Sequence, residues 1–167
     1  MKKLFYVYDV FLKSLIATTS GSFVILILVQ VFCRYVLSSS LAWSEEVCKL
    51  LFYATIMFGT AVCVTEKRHI VIDILPLALS RAGKRWLFLG IYLLMLLFGF
   101  YIMFFGYSFA MANMRQATPA LQISFGRVYM VTPIAAIFFI INTIRVAIYD
   151  WTITYAPENG RSKAEAV

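Results

Sequence analysis

Trp86-Leu-Phe-Leu-Gly-Ile-Tyr-Leu-Leu-Met-Leu-Leu-Phe-Gly-Phe-Tyr-Ile-Met-Phe-Phe-Gly-Tyr-Ser-Phe-Ala-Met-Ala-Asn-Met114 runs for 29 residues between Arg85 and Arg115 without a formal charge. A helix needs roughly 20 apolar residues to cross the hydrocarbon core of a bilayer, so this stretch alone is long enough. It reads as continuous rather than alternating, which favours a helix over a barrel strand. Three further runs share its character, and the spans are expected at 15–36, 47–64, 86–112 and 128–149. Only 14% of the chain is charged against 62% hydrophobic, where an ordinary soluble domain carries about a quarter charged residues. The expected fold is an all-α integral membrane protein with four transmembrane helices, each satisfying its own backbone groups. The third span is longer than the bilayer core and should tilt or project.

Residues 1–14 form a separate expected unit. Leu4, Tyr8, Phe11, Leu12 and Leu15 fall along one helical stripe, and Asp9 and Lys13 stand at i,i+4. This pattern predicts an interfacial amphipathic helix leading into the first span. A cleaved leader is not expected, because Lys13 interrupts the apolar run and no A-x-A site follows it. The transmembrane domain is expected over 15–155 and a polar cytoplasmic tail over 156–167.

The cations fix an orientation. Lys2, Lys3, Lys13, Lys67, Arg68, Arg81, Lys84, Arg85, Arg145, Arg161 and Lys163 fall on one side, eleven against Arg34, Lys49, Arg115 and Arg127 on the other. The positive-inside bias places both termini in the cytoplasm. The net charge of +7 is then accounted for by topology and anionic lipid headgroups, with no nucleic-acid partner required. Trp43, Trp86 and Trp151 lie at span boundaries as an aromatic belt requires, Trp86 and Trp151 serving as topology anchors.

Small residues are the natural contact points between membrane helices. Ala17-x-x-x-Gly21, Gly59-x-x-x-Cys63, and Gly99 with Gly106 are candidates, either for packing within the chain or for a partner interface. Catalytic and ligating residues are scarce. Cys33, Cys48 and Cys63 form no C-x-x-C pair and are expected as reduced thiols. His69 is the single histidine, which removes bis-histidine haem ligation, and no hydrolase set falls inside the spans. No enzyme activity, metal or cofactor is expected in this chain. The polar residues of the spans sit near their ends: Gln30 and Arg34, Lys49, Asn142 and Arg145. Pumps and transporters place their ionisable sites near mid-membrane, so this chain looks unable to transport alone. Pro133 falls in the first turns of the fourth span, where proline is tolerated.

The most distinctive cluster is Trp43-Ser44-Glu45-Glu46, opening the second span. Ser44 is placed to cap the helix, and Glu45 and Glu46 favour the positive end of its dipole. Arg34, one short loop earlier, is a candidate ion-pair partner for one glutamate. A helix cap with a topology anchor, or a docking role for the carboxylates, both fit the cluster.

Together with Phe58-Gly59 and Ala61, His69-Ile70 with Ile72-Asp73, and Tyr129-x-x-x-Pro133-Ile134, the Trp43-x-Glu45-Glu46 motif resembles the small membrane subunit of tripartite ATP-independent periplasmic (TRAP) transporters, the Q or DctQ-type component. The resemblance runs over most of the chain. It implies a bacterial inner-membrane scaffold that pairs with a large polytopic subunit holding the substrate and sodium sites. It further implies a periplasmic protein that delivers an organic acid of the C4-dicarboxylate or sialic-acid type for sodium-coupled symport. Arg34, Trp43, Glu45, Glu46, Gly99 and Gly106 are then the candidate docking or assembly residues. The competing reading is a self-contained four-helix homo-oligomeric exporter, which would need a membrane-embedded carboxylate; Glu45, Glu46, Glu66 and Asp73 all lie near boundaries.

Overall fold

Continuous apolar runs in a medium that cannot hydrogen-bond leave the backbone only its own carbonyls as acceptors, and the chain is helical accordingly. The computed structural model describes residues 2–37, 41–65 and 81–154. They form α1 (Lys2–Tyr35), α2 (Ala42–Thr65), α3 (Arg81–Ala112), a one-turn α4 (Phe125–Tyr129) and α5 (Val131–Thr154). Among the described residues four segments are long and apolar enough to cross a membrane: Phe5–Tyr35, Ala42–Thr65, Trp86–Ala112 and Phe125–Trp151. His69, Ile70, Ile72, Asp73 and the 156–167 tail lie outside the described residues.

The expected interfacial segment is not a separate element. α1 is unbroken over 34 residues, about 51 Å at 1.5 Å per residue, so 2–14 is the first part of the same helix. Along its stripe Leu12 is fully buried, while Phe11 is 57% exposed. The 32 residues of α3 span about 48 Å, beyond the roughly 40–45 Å of a whole bilayer, so α3 must tilt or project. The fourth span starts earlier than Val128 and is divided, with Met130 ending α4 just before α5 begins. Pro133 is the third residue of α5, where its missing N–H would have had no intrahelical acceptor.

The long helices lie in the order α1–α2–α5–α3, a row in which α5 is flanked by α2 and α3. Each neighbouring pair is held by close packing and at least one polar bond. Between α1 and α2, Thr55 Oγ1 donates to Thr19 Oγ1 at 3.0 Å, Cys48 Sγ donates to Gln30 Oε1 at 3.7 Å, and the Phe23 and Phe52 rings sit 5.3 Å apart. Between α2 and α5, Tyr53 and Thr132 share a hydroxyl–hydroxyl bond, and Asn142 Nδ2 donates to the Ala61 carbonyl at 2.6 Å. Between α3 and α5, the Tyr92 hydroxyl donates to Asp150 Oδ2 at 2.5 Å. The near end of α1 also reaches α5, where the Arg145 guanidinium holds both Asp9 oxygens at 2.8 and 2.9 Å. Asp9 therefore has an interhelical partner, Arg145.

The glycines separate into two groups. A Cβ on Gly99 would stand 2.8 Å from Ile140 Cγ1, and one on Gly106 would stand 3.0 Å from Thr132 Cγ2. These two let α3 approach α5 of the same chain. Gly21, Gly59 and Gly90 meet nothing within 4 Å, so the Ala17-x-x-x-Gly21 face of α1 is open.

Candidate assembly and docking site at the Glu46 end

α2 begins at Ala42, two residues before the serine expected to cap it. Ser44 is instead inside the helix and only 1% exposed, and its hydroxyl donates back to the Leu41 carbonyl at 2.7 Å. An N-cap residue stands just outside the first helical turn, whereas Ser44 is the third residue of α2 and its hydroxyl bonds the turn before it. The cap reading of Ser44 is therefore corrected. Glu45 and Glu46 remain in the first two turns, on the positive side of the helix dipole.

Glu46 does more than complement a dipole. Its Oε1 accepts the Ala120 N–H at 2.7 Å and its Oε2 accepts the Leu121 N–H at 2.9 Å. Charge-assisted bonds to two consecutive backbone amides are the strong kind, and they join α2 to the loop between α3 and α4. That loop is itself ordered. Thr118 N–H donates to the Ile123 carbonyl at 2.8 Å, Phe125 N–H donates to Gln116 at 2.8 Å, and Ala117 pairs with Ser124 in an isolated antiparallel bridge. The turn closes through Gln122, which has a left-handed φ of 56°. The Thr118 side chain is buried and accepts the Ile123 N–H, and Ser124 Oγ donates to the Met114 carbonyl at 2.6 Å. At its far side, any side chain on Gly126 would run into the Ala110 carbonyl and stand 2.8 Å from Met114 Cα. Only glycine lets α4 sit this tightly against the end of α3.

Arg34 takes no part in this arrangement. Among the described residues no ion pair joins it to Glu45 or Glu46, and its side chain is exposed. The Glu46 carboxylate is instead engaged by two loop amides. Trp43 is 47% exposed beside Glu45, a geometry suited to a membrane–water boundary. Trp86 and Trp151 stand exposed at the opposite end of the row. Gly99 and Gly106 are elsewhere again, between α3 and α5, so the six candidate residues form no single surface. What the cluster misses is its own counterpart: Ala120, Leu121, Thr118 and Gly126 lie more than 70 residues along the chain from Glu46, and no local pattern points to them.

Chemically, this end can fix a loop and present exposed groups; among the described residues it pairs no nucleophile with a base. Among the described residues there is no cluster of three potential metal ligands, and Cys33, Cys48 and Cys63 are free thiols. A cleft of about 530 Å³ opens between α2 and α3 over the floor of α5, within the range of small-molecule sites. Its walls are Met57, Thr60, Phe98, Ile102, Ala135 and Phe139 among others, without a charge. An anion would find no counter-ion there.

Residues 23–153 match the family described as tripartite ATP-independent periplasmic transporters, DctQ component. A 50-residue stretch is 42% identical to the sialic acid TRAP transporter permease protein SiaT of Haemophilus influenzae (strain 86-028NP), covering 30% of this chain and 8% of that permease. The family match runs from within the first span through the other three and includes both loop partners of the Glu46 tie, and on it the chain belongs to the DctQ family of multi-pass membrane components of TRAP transporters.

Proposed function

We propose that this chain is a scaffold subunit: it frames a large polytopic membrane subunit that moves an organic acid by sodium-coupled symport, supplied by a periplasmic binding protein. The observation that carries the proposal is the row of helices. In the row α1–α2–α5–α3 the cleft over α5 is apolar, and the smaller pocket between α3 and α5 carries an acidic group, Asp150, bonded by the Tyr92 hydroxyl, and no cation. The described acid–base pair inside the row, Asp9 with Arg145, is near the helix ends and neutralises itself. A carboxylate substrate needs cationic or amide groups at membrane depth, so the translocation site belongs in another chain. Sodium, if coupled, would be bound there as well.

The eleven-to-four distribution of cations supports an inner-membrane orientation with both termini cytoplasmic. The Glu46 end then faces the periplasm. Glu46 holds the outer loop in place, and Glu45, Trp43 and the exposed Arg34 are the groups left to meet a docking protein. A sialic acid is one candidate substrate, on the name of the H. influenzae permease that a part of this chain resembles; a C4-dicarboxylate is another.

The test is affinity purification from native membranes in mild detergent, followed by reconstitution. A larger polytopic protein recovered in fixed ratio, with transport only when both are present, is the expected result. Recovery of this chain alone as a homo-oligomer that transports would overturn the scaffold reading in favour of a self-contained exporter.

A further inference from the structure

Two polar atoms where α1, α2 and α5 meet have no partner among the described residues: the Tyr8 hydroxyl and Asn142 Oδ1. Asn142 is 0% exposed and its other amide atom already donates to the Ala61 carbonyl of α2. Buried polar groups are nearly always bonded, and inside a membrane helix row the pressure to bond is greater because lipid offers no substitute.

The two residues lie on facing stripes of α1 and α5. Phe138, Asn142 and Arg145 follow the i, i+4, i+7 spacing and so form one stripe of α5. The Tyr8 ring meets both ends of that stripe, 5.9 Å from the Phe138 ring centre and 6.0 Å from Arg145 Cζ. The ring of Tyr8 therefore faces the stripe of α5 that carries Asn142. A phenol can donate and accept, and an amide oxygen accepts, so their chemistry is complementary. They are nonetheless not bonded to each other. Complementary buried groups on facing helices that do not bond directly are the arrangement that a single water bridges.

We propose that Tyr8 and Asn142 hold one buried water, which accepts the Tyr8 O–H and donates to Asn142 Oδ1. The resulting chain, Tyr8–water–Asn142–Ala61 carbonyl, connects three helices through hydrogen bonds at one point of the row. It stands beside the Asp9–Arg145 pair and fixes the near half of α1 against α2 and α5 by a second, uncharged route.

Two measurements test it on the full-length chain in the assembly with which it purifies. The first is a map at a resolution that shows ordered water. A peak within hydrogen-bond distance of both atoms is expected; a direct Tyr8–Asn142 bond, or a dry gap, overturns the proposal. The second is a double-mutant cycle read by melting temperature. Tyr8→Phe should lower it by about 2–4 °C in the native background and by almost nothing beside Asn142→Leu. Equal falls in both backgrounds would show that the residues do not share a bridge. Should Asn142→Leu fail to assemble, the map decides alone.

Discussion

Gly99 and Gly90 lie nine positions apart on α3, and the same substitution should act on them in opposite directions. At Gly90 a Cβ meets nothing within 4 Å. Alanine there adds helix propensity and removes unfolded-state freedom, a gain of about 0.4–1 kcal/mol. At Gly99 the same Cβ stands 2.8 Å from Ile140 Cγ1 and 3.1 Å from Phe139 Cδ1. Ile140 is β-branched and 8% exposed, so it has little freedom to move aside. Overpacking of this kind costs about 1–3 kcal/mol, and part of the propensity gain offsets it. The two variants should differ by roughly 1–3 kcal/mol, or about 2–12 °C in melting temperature for a chain of this size. The assay is thermal unfolding of the purified chain in one detergent, with co-purification of its partner scored in parallel. If Gly99→Ala matches Gly90→Ala in melting temperature yet loses the partner, Gly99 faces another subunit and the α3–α5 packing described here is wrong. A shared fall in stability and assembly, confined to Gly99, is the expected outcome.

Other substitutions probe the two ends of the row. Glu46→Ala should speed hydrogen exchange at the Ala120 and Leu121 amides and leave exchange in mid-α5 unchanged, since the carboxylate is their acceptor; unchanged exchange at both amides would show that the tie is not formed. Gly126→Ala should destabilise more than Gly106→Ala, because the first meets a backbone carbonyl of α3 and the second only the Thr132 side chain; melting temperatures of the two variants decide. Arg145→Lys should lose the two-pronged contact with Asp9 and lower stability by up to about 1 kcal/mol, a discounted figure because both side chains are partly exposed. The exchanged pair Asp9→Arg with Arg145→Asp should recover part of that loss relative to either single reversal, and no recovery would mean the ion pair contributes nothing.

The helices themselves were legible because a membrane span has a local signature: an uninterrupted apolar run needs no knowledge of what it packs against. Boundaries were less so. Ser44 fits the cap pattern by residue type, yet the chain was already helical at Ala42, and nothing local distinguishes a capping serine from one that bonds its preceding turn. Arg34 looked like the partner of a glutamate because it is near in sequence, while the amides that Glu46 binds belong to a loop more than 70 residues on. Backbone donors leave no trace in side-chain identity. Gly99 and Gly106 were legible as points of close approach, but not the helix they approach. Which surface a small residue faces depends on the order of helices, and the order α1–α2–α5–α3 is not the order along the chain.

That order bears on how such a chain could act as a frame. A closed four-helix bundle shares one core among all its helices; a row gives α1 and α3 one principal neighbour each. Lipid provides no hydrophobic drive to keep the row flat and in register, so the shape rests on packing and on bonds between adjacent helices. Each adjacent pair has such bonds, Thr19–Thr55, Asn142 to the Ala61 carbonyl, and Tyr92–Asp150, with Asp9–Arg145 crossing from α1 to α5. Interhelical hydrogen bonds in membranes average about 0.6 kcal/mol, too little for any one to hold a helix in place. Their distribution matters more than their individual strength. They fall at different depths, with the Glu46 tie at one end and the Asp9–Arg145 pair at the other, so a rotation or slide of any helix breaks several at once. A row fastened in this way resists shear in the membrane plane, which is the property a static frame for a moving partner requires.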